Sequence, residues 1–289
     1  MLSIHQILTG FWAIQYEYGV NYLPLVATWL KGDQAVPLAA SQDRTDVLHE
    51  GIRFATLQNG AYSLSDWGST GSPEQAPKNS IAILSIVGAI TKHDQQCGPA
   101  GMNTKANILQ RCYANDNISG IVIDIESGGG ASNAMFMMNE VIGKRNKPVV
   151  GFANDIAASA AYGILSACDV AVANSALTQV GSIGTIATIM DYSEQLKKQG
   201  INLIEVYATK STDKNGWWRE AMKGNLKPLQ QEVDVWNGHF LDMVQKNRGS
   251  TLTGEGWDTG KLFFASDAKK IGLIDEIDSF DNILNYFNM

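Results

Sequence analysis

Residues 148–188, PVVGFANDIAASAAYGILSACDVAVANSALTQVGSIGTIAT, decide how the chain is read. Pro148 to Ala153 is a short apolar run of buried-strand type. Asn154-Asp155 predicts a turn, and a helix of small residues is expected from about Ala157, with Asn154 or Asp155 as its N-cap. Ser159 falls in the first turn of that helix. There a side chain lies near unpaired backbone N–H groups and the positive end of the helix dipole, both of which favour an oxyanion. The position suits a nucleophile. Taken alone, the stretch favours the plainer reading of a serine packed tightly among Ala157, Ala158, Ala160 and Ala161.

The preceding chain repeats the same unit. Ile81–Ile90 is an apolar, β-branched strand, and Asn103–Asn115 reads as a helix with Ile108, Leu109 and Cys112 on one face. Gly120–Ile125, beginning as early as Ile118, is a second buried strand and runs into Glu126-Ser127-Gly128-Gly129-Gly130. Ala131–Lys144 is helical, with Met135, Met138, Val141 and Ile142 inward, and Asp169–Asn174 is one more strand. Strands alternating with helices across short connections predict an α/β fold with a mainly parallel sheet. In such folds the ligand-binding loops lie at the carboxyl ends of the strands. Two loops of small residues fall there, after Ile125 and after Ala153. One offers flexible N–H donors and the other a serine, a combination suited to acyl transfer.

Around this region, residues 1–67 are rich in Trp and Tyr and read as an N-terminal arm or subdomain. Ser3–Leu8 is a candidate short helix, and Asp46–Ala61 is ambiguous between helix and strand. Residues 68–79 are a linker by composition, leaving 80–289 as the main domain. Further on, Gln179–Gly184 is a glycine-bounded turn, Glu194–Gly200 closes a helix and Ile201–Ala208 is a strand. A long helix over Leu226–Arg248 carries an apolar stripe of Leu229, Val233, Trp236, Phe240 and Val244, read as core or as a contact between copies.

The 289 residues are 45% apolar and 18% charged, with a net charge of −7. No run of Lys or Arg forms a basic stripe, so nucleic acid is not an expected partner. No run of eighteen apolar residues predicts a membrane span, and the first residues lack the pattern of a secretory signal. Cys97, Cys112 and Cys168 are odd in number and lack metal-ligand spacing, which fits buried thiols in a reduced compartment. No metal or cofactor is expected.

A serine nucleophile needs a base. Of the four histidines, none lies between residues 94 and 238, and only His93, beside Asp94, has a loop position from which to reach the site. A lysine base must be neutral. Its pKa must fall from about 10.4 toward about 7–8, at a cost of roughly 4 kcal/mol, through burial or a nearby positive charge. Lys210 and Lys214, in the polar segment after Ala208, are the candidates.

Four motifs in order, covering about residues 80–277, resemble peptidase family S49, the signal peptide peptidase A group with its phage head-protease relatives. They are Ile123-Asp-Ile-Glu-Ser-Gly-Gly-Gly130, Ala157-Ala-Ser-Ala-Ala-Tyr162, Gly181-Ser-Ile-Gly184, and Phe264 through Gly272-Leu-Ile-Asp275. The resemblance implies a ClpP/crotonase fold and a Ser-Lys serine endopeptidase working through an acyl-enzyme. It implies Ser159 as nucleophile and a lysine after the strand ending near Ala208 as base; Lys214 is the assignment, with Lys210 the alternative. Ser182 would orient the lysine. The N–H groups of Gly129 and Ala160 would form the oxyanion hole, with Gly128 or Gly130 able to replace Gly129.

The chain departs from the family pattern at Gly128, where the family has Pro, and at Ala160-Ala161, where it has Gly-Gly. Methyl groups beside the nucleophile would narrow the pocket or reduce activity. The resemblance further implies a homo-oligomer, a peptide or protein substrate, and a cytoplasmic or prohead-associated location. Two other functions compete. A crotonase-type acyl-CoA enzyme would share the glycine loop but leave Ser159 and Ser182 without a role. An assembly protein that has lost catalysis would account for Ala160-Ala161 and the arm.

Overall fold

The computed structural model describes residues 12–14 (backbone only), 52–65, 71–95, 99–189, 191, 193–202 and 204–288. The expected helix at Ser3–Leu8 and the thiol of Cys97 lie outside them. A short strand, β1 (Trp12–Ile14), comes first, then the antiparallel pair β2 (Ile52–Gln58) and β3 (Ala61–Leu64). The repeated units follow: β4 (Ser80–Val87), α1 (Met102–Ala114), β5 (Ile118–Ser127), β6 (Gly129–Ala131), α2 (Ser132–Gly143), β7 (Val149–Ala158), α3 (Ala160–Leu165) and β8 (Val170–Ala173). The remainder holds β9 (Gln179–Gly181), α4 (Ser193–Lys198), α5 (Gly216–Ala221), α6 (Lys227–Arg248), β10 (Leu262–Phe264), α7 (Ala265–Lys270), β11 (Glu276–Ile277) and α8 (Phe280–Ile283).

The main sheet runs β10-β9-β7-β5-β4-β2-β3, with β8 also beside β7 and β11 beside β8. The ladders β4–β5, β5–β7, β7–β8, β7–β9 and β8–β11 are parallel, giving the α/β fold with a mainly parallel sheet. β2 pairs antiparallel with β4, so residues 52–64, expected in the arm, extend the main sheet. The end of the expected linker is also packed: Pro73 is buried and Glu74 is ion-paired with Arg111 of α1.

Period-two alternation sorts the strands between two cores. Ile121, Ile123 and Ile125 of β5 face the larger one, against Met102, Ala106 and Leu109 of α1, Met135 and Met138 of α2, and Phe240 and Val244 of α6. Of the predicted α6 stripe, Leu229, Phe240 and Val244 are buried, whereas Val233 and Trp236 are half-buried. Val122, Val150 and Phe152 face the opposite core, closed by Ile283 and Leu284. Each of the Ile, Val, Leu, Met and Phe side chains contributes about 1.5–3 kcal/mol by leaving water. Gly120 admits the Phe287 ring, which would lie 2.2 Å from a β-carbon there. Asp275, just before β11, ties α6 to β8. Its carboxylate accepts Arg248 Nη2 and Nη1 from the end of α6 (2.7 and 3.0 Å) and the Ala171 N–H of β8 (2.7 Å).

Three local expectations are corrected. Asn154-Asp155 is not a turn; β7 runs through it to Ala158. One edge of β7 pairs with β8 over Val150–Ala153 and then with β9 over Ile156–Ala158, and the polar pair marks the change of partner. Asn154 accepts the Asn174 side-chain amide (3.2 Å) and its carbonyl accepts the Thr178 hydroxyl (2.9 Å). The Gln179–Gly184 stretch is accordingly not all turn, because its first three residues are β9. Ile201–Ala208 is not a strand. A strand is made by pairing, and among the described residues none pairs with it, leaving Ile204 and Val206 83% and 91% exposed.

Asp124 breaks the apolar alternation of β5, in register with Ser85 of β4 and Phe152 of β7. Burial pushes its carboxyl up to about 6, against the opposing pull of Arg53. The folded state therefore holds a proton that the unfolded chain releases near pH 3.9. Stability contributed by this group falls as pH rises from about 4 to 6 and is level above that. In urea titrations between pH 4 and 7, Asp124→Asn is expected to gain stability relative to wild type across that window. A difference independent of pH would contradict this origin.

Candidate active site

The carboxyl ends of β5 and β7 lie side by side, with Ser127 in register with Ala157. From β5 the chain enters the buried loop Gly128–Gly130. The Ser127 hydroxyl organises this loop by donating to the Gly88 carbonyl (2.6 Å) and accepting the Gly129 N–H (3.1 Å). Gly129 has φ +105°, a conformation that glycine adopts without steric cost. Beyond it, Ile90 N–H donates to the Gly129 carbonyl (2.9 Å) and Ala131 N–H to the Ile90 carbonyl (2.8 Å). A β-carbon on Gly130 would lie 2.1 Å from the Ile90 carbonyl oxygen, so the approach of these two backbones requires glycine.

From β7 the chain turns at Ser159. The helix begins at Ala160, three residues later than expected, making Ser159, and not Asn154 or Asp155, its N-cap. The serine has φ +56° and ψ −120°, a conformation that costs a non-glycine residue about 1–3 kcal/mol and persists where its surroundings impose it. Its N–H donates to the Gly181 carbonyl (2.7 Å), extending the β7–β9 ladder, and its carbonyl accepts the Gly163 N–H (3.0 Å), starting α3. Strand and helix thus impose incompatible directions on one residue. The Ser159 hydroxyl faces the Gly184 carbonyl at 3.5 Å. Ala160 and Ala161 occupy the first two helical positions, whose N–H groups have no acceptor within the helix. Both residues are fully buried. α3 packs on β6, which sets the serine turn beside the glycine loop.

Ser182 follows Gly181, also at positive φ (+52°), with its N–H on the Lys261 carbonyl (2.7 Å). The structure therefore gathers Ser159, Ala160, Ser182 and the Gly128–Gly130 loop. Neither lysine joins them. Lys210 and Lys214 are exposed, and Lys214 lines a surface depression with Glu205, Tyr207 and Ser211. The exposed His93 hydrogen-bonds Asn103 (3.1 Å), while Asp94 accepts Gly101 N–H and the Thr104 hydroxyl, so this pair is not directed at Ser159. Sequence reasoning missed the role of Ser127. Its position at the end of a buried strand, before three glycines, was the available signal. Cys112 and Cys168 are buried free thiols, and burial pushes both up to about 12. Among the described residues no three of His, Cys, Asp and Glu gather to hold a metal. No helix among them is long and apolar enough to cross a membrane.

The model of peptidase family S49 matches residues 142–288, from the end of α2 onward and including the serine turn. The chain belongs to peptidase family S49. It is 29% identical over 215 residues to Protease 4 of Haemophilus influenzae, covering 72% of this chain and 34% of that protein. A putative protease of Methanocaldococcus jannaschii is 31% identical over 183 residues, 62% of this chain and 58% of the relative. Capsid assembly protease C of Escherichia phage lambda is 24% identical over 232 residues, 77% of this chain and 53% of the phage protein. The chain thus spans between a third and six-tenths of the length of these S49 relatives.

The strained serine gives a stability test. Ser159→Gly relieves the positive φ and Ser159→Ala does not, so the glycine variant is expected to be the more stable by about 1 kcal/mol or more in chemical denaturation. Equal stabilities would mean that the turn carries no strain.

Proposed function

We propose that the protein is a serine endopeptidase in which Ser159 is the nucleophile and Lys214 the base. The observation that carries this reading is the turn at Ser159, a strained serine between a strand end and a helix start, beside a glycine loop. Ser159 Oγ attacks the substrate carbonyl carbon as its proton passes to neutral Lys214. The resulting oxyanion takes the Ala160 N–H and an N–H of the glycine loop. The Gly129 N–H engages Ser127 and the Gly130 N–H faces β1, which favours Gly128 as the second donor. Lys214 then protonates the leaving amine as the C–N bond breaks, giving an acyl-enzyme. Water, losing its proton to Lys214, releases the acid and restores Ser159. Ser182, next to Gly181, orients the lysine.

The base must come to the serine. The lysine segment carries the exposed Ile201, Ile204 and Val206, and α4 buries none of its residues. A homo-oligomer would cover these side chains and bring the lysine segment of one copy to the serine turn of the next. Burial in that contact would lower the lysine pKa. The phage relative, a capsid assembly protease, suggests capsid or scaffold proteins as substrates.

In a casein digestion assay, Ser159→Ala and Lys214→Ala are each expected to lose about 10²–10⁴-fold in rate, with Lys210→Ala near wild type. Mixing the two inactive variants before assembly should restore part of the activity. Retained activity in Ser159→Ala would overturn the reading; loss in Lys210→Ala alone would move the base; and no recovery on mixing would place both groups in one copy.

A further inference from the structure

β6 has two edges. Ile90 occupies one, through the Gly129 carbonyl and the Ala131 N–H. Backbone polar groups alternate sides along a strand, so the N–H and carbonyl of Gly130 point to the other edge. That edge is filled by β1. It runs antiparallel to β6 with Trp12 opposite Ala131, Ala13 opposite Gly130 and Ile14 opposite Gly129. Ala13 and Gly130 are therefore the pair whose backbone groups face one another. β1 and β6 form a two-stranded sheet of their own, and three residues of ladder are marginal in isolation. The contact is one that another extended chain can replace.

We propose that residues 12–14 occupy this edge of β6 in cis as an intramolecular competitor of any extended peptide that runs antiparallel to residues 129–131. Main-chain hydrogen bonds supply the affinity, so the edge accepts many sequences. Tethering keeps the chain's own segment at an effective concentration in the mM range, enough to hold off weak peptides. Because β6 belongs to the glycine loop beside Ser159, a docked chain would pass the serine turn. The consequence for proteolysis rests on the function proposed above; the docking does not.

Ala13→Pro in the full chain tests this, because proline removes the one N–H of β1 that faces Gly130 and leaves β6 unaltered. The probe is a fluorescent peptide of residues 9–17, TGFWAIQYE, followed by anisotropy, with hydrogen exchange read at residues 129–131. The variant is expected to bind the probe at least about tenfold more tightly than wild type, as the open form becomes the main one. Bound probe should restore protection at 129–131, Ala13→Ser should behave as wild type, and casein digestion should rise with probe affinity. Equal binding by wild type and Ala13→Pro, or protection only elsewhere, would overturn the proposal. Tighter binding and protection at 129–131 with no digestion by either protein would uphold the docking edge and refute the protease reading.

Discussion

The 2.7 Å hydrogen bond from Ser159 N–H to the Gly181 carbonyl is the constraint on which the site depends. It is the last rung of a ladder that β7 makes after leaving β8 for β9. Because the rung reaches Ser159 itself, the residue must finish a strand while its own carbonyl starts a helix. The positive φ is the geometric result. The same ladder brings Gly181, and with it Ser182, beside the serine, while the parallel β5–β7 ladder delivers Ser127 and the glycine loop from the other side. Two sheet registers, not a network of side chains, assemble the centre.

Much of this was legible in the sequence because it rests on local pattern. The runs at 81–90, 120–125 and 148–153 could hardly be anything but buried strands, and the helices between them show their inward residues. Ser159 was legible as a serine near a helix start, although the turn, expected at Asn154-Asp155, comes at Ser159 itself. What escaped was set by distant partners. Asn154-Asp155 carries turn chemistry, yet β9, some two dozen residues later, pairs just beyond it and keeps the strand extended. The Ile201–Ala208 segment has the composition of a strand, yet among the described residues it has no pairing partner. Composition assigned residues 52–64 to the arm, whereas their place beside β4 depends on ladder pairing.

The departures from the S49 pattern read differently once packed. The methyl groups of Ala160 and Ala161 lie fully within the protein, so they add to the core beneath the serine turn and do not project over it. Gly128 lies in a loop held by Ser127, whose hydroxyl takes the Gly129 N–H and the Gly88 carbonyl together. Stiffness that proline would supply by its ring is supplied here by hydrogen bonds.

The central claim is that Ser159 is the reacting group. It is tested most directly by treating the protein with a fluorophosphonate, which phosphonylates an activated serine, and mapping the adduct by peptide mass spectrometry. The account predicts one adduct, on the peptide containing Ser159, formed in step with loss of casein digestion. Loss of digestion with the adduct on any other residue would contradict it.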